Sequence, residues 1–358
     1  MSRASALRWA IIGVLAVGLA VVLAFVPLVG GSYYAHVGIL VFLNITLVMG
    51  YRLLCLTGLY SFCQMTFFGI GAYTSALLST RLGYPVWVCF LAAGVVAALF
   101  SMALIIPAAR VRGVYFFLVT FGFLGVMNSV FLHWSSLTGG DAGILVAAPI
   151  IGTGTQTQDY FVILAFAAVA VFVMWRIERS RFGRELAPIG SAEGLAAVSG
   201  INVLRNRVLA FAIGAALAGL AGSLFAHDAA YISANDFSEW GTIYILVWLV
   251  VGGVGKMWGP IVGAVVMTLI AELLRMSGIM QALFYSFVLL FVVMVMPHGI
   301  AGFVDTVKAR IGGGTPGASE PHAPHPGEPQ REPHPREPHP SEPQLEPQPS
   351  EGLVGGNR

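Results

Sequence analysis

The run Val86–Pro107, VWVCFLAAGVVAALFSMALIIP, holds 22 residues and not one charge. As a helix rising ~1.5 Å per residue it spans about 30 Å, the thickness of a bilayer's hydrocarbon. Lipid offers no partners for backbone amides, and the run lacks the alternation of a barrel strand, so it reads as a membrane helix. The same reading along the chain gives ten candidate spans: Arg8–Val29, Ala35–Tyr51, Gly58–Ser79, Val86–Pro107, Gly113–Trp134, Tyr160–Ile177, Val208–Ala226, Gly241–Gly255, Trp258–Leu274 and Ile279–Pro297. Arg3 and Arg8 precede the first, but its apolar run is too long for a signal peptide, so it reads as an uncleaved helix. Gly58–Ser79 and Gly241–Gly255 are the candidates for re-entrant hairpins. The expected fold is all-α and polytopic, with about eight to ten spanning helices.

Composition agrees. The chain of 358 residues is 57% hydrophobic and 10% charged, with a mean hydropathy of +0.81. Soluble domains carry about 25% charged residues, so this one could not cover a water-facing surface. A soluble enzyme, a nucleic-acid reader and a disulfide scaffold are excluded. Cys55, Cys63 and Cys89 all lie in apolar stretches without metal or redox spacing, and read as small hydrophobes. From Gly312 onward the character changes. Residues 312–358 hold 12 of the 19 prolines and the repeat Arg331-Glu332-Pro333-His334-Pro335, Arg336-Glu337-Pro338-His339-Pro340. Such a tract lacks the apolar content to fold, so the chain divides into a membrane domain, 1–304, and a disordered Pro/Glu/His-rich tail, 312–358.

Basic residues favour the cytoplasmic ends of spans. With the N-terminus inside and every span crossing, 17 of the 19 Lys and Arg residues collect on the inner side, leaving Arg81 and Arg275 outside. Asp141, Asp159, Asp228, Asp236 and Glu239 fall in outer loops. Both termini are therefore expected in the cytoplasm. Within the spans ionisable groups are scarce: Glu272 sits near Arg275, and His36, His133, His227 and His298 fall near span ends, where interfacial roles suffice. The chain thus lacks the buried acids and bases of an ion-coupled carrier. It also lacks a phosphate loop, since Lys256 is followed by Met257 and preceded at the required spacing by Val250. Energy must come from a partner, or passage must be passive.

The loop 178–206 is where a partner could push. Ser191–Val198 reads as a short helix stopped by Gly200 and flanked by Arg179, Arg181, Arg184 and Arg205. Glycines form the other cluster. Gly214, Ala218 and Gly222 recur every fourth residue, as do Gly255, Gly259 and Gly263, a spacing that brings helix backbones close. Gly69 and Gly71, with Gly252 and Gly253, are candidates for helix breaks facing a cavity. Asp141 in Thr138-Gly139-Gly140-Asp141-Ala142-Gly143 reads as an outer turn near solute entry.

These residues together resemble the permease subunits of bacterial branched-chain amino-acid ABC importers, of the LivM type. Phe67-Phe68-Gly69-Ile70-Gly71-Ala72-Tyr73 is similar to the family's first signature. Arg112-Gly113-Val114-Tyr115-Phe116, Leu137-Thr138-Gly139-Gly140, Ser180-Arg181-Phe182-Gly183-Arg184, Gly252-Gly253-Val254-Gly255-Lys256-Met257-Trp258-Gly259-Pro260 and Pro297-His298-Gly299-Ile300 follow in the family's order. One stretch departs: where members carry Gly-Gln-x-Ser-x-Gly-His, this chain reads Gly58-Leu59-Tyr60-Ser61-Phe62-Cys63-Gln64.

The resemblance implies a transport subunit of the bacterial inner membrane with no cofactor and no bond chemistry of its own. Its implied partners are a second permease, two cytoplasmic ATP-binding subunits and a periplasmic substrate-binding protein. The implied cargo is a branched-chain or similar small amino acid, with urea or a short amide as the alternative. Arg181, Gly183, Arg184, Glu193, Ala196, Ala197 and Gly200 would form the ATPase-coupling region. Gly69, Gly71, Tyr73, Gly139, Gly140, Asp141, Gly252, Gly253 and Gly255 are candidates for the translocation pathway.

Overall fold

A computed structural model describes residues 31–108, 111, 113–146, 148–152 and 155–273, with positions 283, 284, 286, 287 and 290. The expected spans at 8–29 and 279–297 and the tail at 312–358 lie outside the described residues, save those isolated positions. Five helices are long and apolar enough to cross a membrane: α1, Gly31–Cys55; α3, Val86–Ala108; α4, Val114–His133; α6, Gln156–Arg179; and α9, Val203–Ala229. Between α1 and α3 lies α2, Gln64–Leu82. One turn of helix, α5 (Ser135–Thr138), follows α4. At one end of the bundle lie α7, Arg181–Ser191, and α8, Glu193–Val198. After α9 come α10, Glu239–Gly252, and α11, Trp258–Leu273. At the opposite end, β1 (Ile144–Leu145) and β2 (Tyr231–Ile232) pair antiparallel, Ile144 opposite Ile232.

The spans sort into two layers. In α1 and α9, 83% and 67% of the most apolar stretch is buried within the chain; in α3, α4 and α6 the shares are 33%, 22% and 28%. The first pair encloses α2, most of whose length is buried. The second set turns Leu91, Val95, Leu99, Leu118 and Phe172 outward, as lipid-facing helices do.

Glycine sets the inner packing. A Cβ at Gly214 of α9 would stand 2.6 Å from the Gly50 oxygen of α1, and one at Gly219 would stand 2.7 Å from the Ala93 oxygen of α3. Cβ atoms at Gly71 and Gly222 would run into the backbones of Gly219 and Phe68. Helices α1, α2, α3 and α9 thus meet backbone to backbone, with fully buried Ala218 in the same face of α9. A second close approach joins α10 to α11, where Gly259 packs on Gly252 and Gly263 on the Trp248 carbonyl.

The expectation that Gly69 and Gly71 break their helix is corrected. Helix α2 is continuous through both. Gly71 admits α9, and a Cβ at Gly69 would lie 2.8 Å from the Phe237 ring and 2.9 Å from that of Phe131. The break expected at Gly252 and Gly253 is present: α10 stops there, and Gly253 takes φ +90°, a conformation that only glycine adopts without strain.

Most of the candidate hairpin 58–79 is the single helix α2, and 241–252 of the other lies in the single helix α10. Residues 56–63 are irregular and fold back from the end of α1, so that α2 begins well inside the bundle. There the buried Gln64 amide donates to the Leu47 and Gly214 carbonyls at 3.4 and 3.3 Å, satisfying two helices at once. At the other end of the bundle the 3-10 turn Ala234–Phe237 dips inward and seats Phe237 against Phe68, Tyr73, Phe131 and Phe225, with ring centroids 5.5–6.4 Å apart.

Candidate functional site

The α7–α8 end is tied to the bundle by charged groups. Ser180 caps α7 by accepting from the Gly183 amide at 3.3 Å, so α6 runs into α7 with a single residue between them. Apolar Leu186 and Ile189 of α7 are buried against the bundle. On its polar side Glu185 accepts from Asn206 Nδ2 of α9 at 2.8 Å. Helix α8 is held by a fork: Arg207 Nη1 and Nη2 donate to Glu193 Oε1 and Oε2 at 2.9 and 3.0 Å. This bidentate, charge-assisted geometry fixes direction as well as distance. Ala196 faces inward, whereas Leu195 and Val198 are 74% and 91% exposed. Gly200, at φ +82°, ends the helix, and Asn202 caps α9 by accepting from the Arg205 amide. Arg181 and Arg184 are exposed beside this knob, as is Ala197.

Beneath the knob lies a second charged joint. Arg52, in the last turn of α1 and only 2% exposed, forms an ion pair with Glu178 in the last turn of α6. Its Nε donates to the Val254 carbonyl, 3.0 Å away in the break between α10 and α11. One guanidinium therefore ties α1, the helix leading into α7, and the break beside Gly253 and Gly255. Neither Arg52 nor Arg207 stood out in the sequence beyond its place in the basic bias, because the partners of both lie on other helices.

Between α1, α2 and α10 is a cavity of about 280 Å³. Leu43, Leu47, Met65, Phe68 and Ile245 make much of its wall, and Trp240, Tyr244 and Trp248 present aromatic rings. Asn44, Asp236 and Ser238 supply polar groups. Asn44 Nδ2 also donates to Thr268 Oγ1 of α11 at 3.0 Å, and the Met65 amide donates to Thr242 Oγ1 of α10 at 3.3 Å. None of the nine glycine-centred pathway candidates lines this cavity. Tyr73 instead packs on Phe131 at 4.8 Å, while Gly139 and Gly140 take positive φ in the turn that carries Asp141 at the surface.

His227 is the largest departure from an interfacial reading. It is buried, with Nδ1 2.8 Å from the Ala148 carbonyl and Nε2 2.9 Å from Ser75 Oγ. A carbonyl accepts only, so Nδ1 carries the proton and Nε2 accepts from Ser75. Ser75 in turn accepts from Ser223 at 2.7 Å, which makes one directed chain from α9 through α2 and back. Glu272 accepts from the Tyr33 hydroxyl at 3.3 Å; Arg275, its expected neighbour, lies outside the described residues.

The sequence relatives of this membrane bundle, with its protruding helical knob and its apolar cavity, say which family it comes from. The family described as branched-chain amino acid transport system / permease component matches residues 33–296. The chain belongs to that family. It is 30% identical over 247 residues to the high-affinity branched-chain amino acid transport system permease protein LivM of Salmonella typhimurium, covering 62% of this chain and 58% of that protein. LivM of Escherichia coli matches with the same identity and coverage. The xylose transport system permease protein XylH of Haemophilus influenzae is 29% identical over 131 residues, 34% of this chain and 35% of its own. The match thus spans somewhat over half the length of the LivM relatives. No solved structure matches significantly.

Proposed function

We propose that this chain is the membrane-spanning subunit of an ATP-driven importer, carrying branched-chain or similarly small amino acids into the cytoplasm across a bacterial inner membrane. The observation that carries the reading is the knob at α8: an apolar tip, Leu195 and Val198, raised on a helix that Arg207 grips from α9. An exposed apolar tip fits a cleft in a soluble partner, and the fork conveys force from it into the inner layer. In this reading two ATP-binding subunits, a second permease and a periplasmic binding protein complete the assembly. Residues 178–206 face the cytoplasm, with Arg181, Gly183, Arg184, Glu193, Ala196, Ala197 and Gly200 forming the coupling region, in which Ala196 packs inward and the others lie toward the partner.

ATP binding drives the change by stabilising one state of the pair of permeases over the other; the chain itself makes and breaks no bonds. An amino-acid cargo is supported by the LivM relatives and by the apolar wall of the cavity. Reconstitution tests it. Proteoliposomes holding the full assembly should take up leucine only with ATP, and omitting the ATP-binding subunits should abolish uptake. Undiminished uptake without them overturns the proposal.

A further inference from the structure

Helix α6 ends in two arginines that the transport reading leaves without a role. From Phe161 to Trp175 the helix carries no charge, and Val169, Phe172 and Val173 are exposed along it as on a lipid-facing surface. Arg176 and Arg179 follow directly, both exposed. The Arg179 guanidinium lies 4.1 Å over the Trp175 ring, and that ring stacks in turn on Phe172 at 5.9 Å. Stacking occupies the flat face of a guanidinium and leaves its N–H groups, which lie in the plane, directed outward. Arg176 stands three residues from Arg179 and four from Phe172, so the helical spacing puts both cations on one side of α6, at the end of its apolar surface.

The acids of this corner are engaged elsewhere. Glu178 pairs with Arg52, and Glu185 accepts from Asn206 of α9. Among the described residues no carboxylate pairs with Arg176 or Arg179. A third cation approaches instead. The elbow into α7 is so tight that a Cβ at Gly183 would run into the backbone of Ile177 and Glu178, and Arg184 Nη1 donates to the Arg179 carbonyl at 3.3 Å. Positive charge thus gathers at the edge of hydrocarbon without a counter-charge from the chain.

We infer that this end of α6 is a headgroup site for an anionic phospholipid, with Arg176 and Arg179 binding the phosphate while an acyl chain lies along Phe172 and Val169. The preference of cations for one membrane face accounts for arginines at this end, but not for a guanidinium held flat on an aromatic ring beside an exposed apolar strip. A soluble partner would neutralise the charges and leave the strip uncovered, whereas a lipid meets both. A zwitterionic headgroup would bring its own ammonium to a cluster of guanidinium groups, so the site selects net negative charge. The inference goes beyond the transport reading and needs only that α6 crosses a bilayer.

The test uses the full-length protein, with its co-purifying subunits, in phosphatidylethanolamine vesicles holding a trace of phosphatidylglycerol that carries a diazirine in its acyl chain. Irradiation should label α6 peptides around Val169–Trp175, and the same diazirine chain on a phosphatidylethanolamine headgroup should label them less by about fivefold or more. Arg176→Gln combined with Arg179→Gln should lower the phosphatidylglycerol labelling by about the same factor. Both side chains are exposed, so insertion and thermal unfolding should match wild type. Arg205→Gln removes another exposed cation from the same end of the bundle and should label as wild type does. Equal labelling by the two headgroups overturns the inference, and that comparison is made on the wild type whether or not the variant folds. Full labelling of the double variant also overturns it; if that variant has lost its co-purifying subunits, the arginines belong to a protein contact instead.

Discussion

Arg207 and Glu193 meet through two parallel hydrogen bonds of 2.9 and 3.0 Å, so that α8 is fastened to the first turns of α9 by a single guanidinium. A push on α8 is therefore received by the helix that meshes with α1, α2 and α3. Replacing Arg207 with Ala should leave the protein inserted while substrate-stimulated ATP hydrolysis no longer yields uptake, with transport down at least tenfold. The reciprocal exchange, Glu193→Arg with Arg207→Glu, should recover part of it. Uptake and hydrolysis measured on one preparation decide the matter.

Leu195 is exposed and touches little of its own chain. Leu195→Asp should therefore leave the thermal unfolding of the isolated subunit within about 0.5 kcal/mol of wild type. Co-purification of the ATP-binding subunits should nevertheless be lost. Retained association would remove α8 from the coupling surface.

Arg52 is buried with Glu178 and the Val254 carbonyl. Arg52→Leu strands the partly buried Glu178 carboxylate and should cost about 1–3 kcal/mol, since a polar group left without its partner bears its full desolvation cost. Arg52→Leu combined with Glu178→Leu should be milder than Arg52→Leu alone. Thermal unfolding of the single and double variants in detergent measures the difference.

Gly71 lies against the backbone of Gly219. Gly71→Ala should force α2 and α9 apart at a cost of about 1–3 kcal/mol. Gly122→Ala, at a position in α4 with open space around it, should be neutral or slightly stabilising, because alanine is the better helix former. The yield of folded protein from membranes reports both.

What could be read in the sequence was whatever a single helix carries by itself. The runs that became α3, α4 and α6 announce themselves by uncharged length, and the knob by Glu193 and the stop at Gly200. Which helices face inward could not be read the same way. Both α1 and α3 are largely apolar, and their burial is decided by neighbours. The glycines show the limit most sharply: Gly71 and Gly253 look alike in an apolar string, yet the first admits another backbone and the second ends a helix. Phe237 gives no signal in the sequence until the turn carrying it is seen to dip beside α2, while Asp236 next to it stays exposed, as an outer-loop acid should. Arg52 and Arg207 needed the fold for the same reason, since their partners come from distant helices.

Where main chain rests on main chain there are no rotamers to yield, so neither surface can slide without lifting off the other. The close approaches thus partition the subunit into two stiff blocks, one of α1, α2, α3 and α9, the other of α10 and α11. Side-chain ties span the seam between them: Asn44 to Thr268, Met65 to Thr242, and Arg52 to Val254. The cavity opens along that same seam. Any movement of one block against the other would have to break those few polar ties, while the interior of each block stayed as it was.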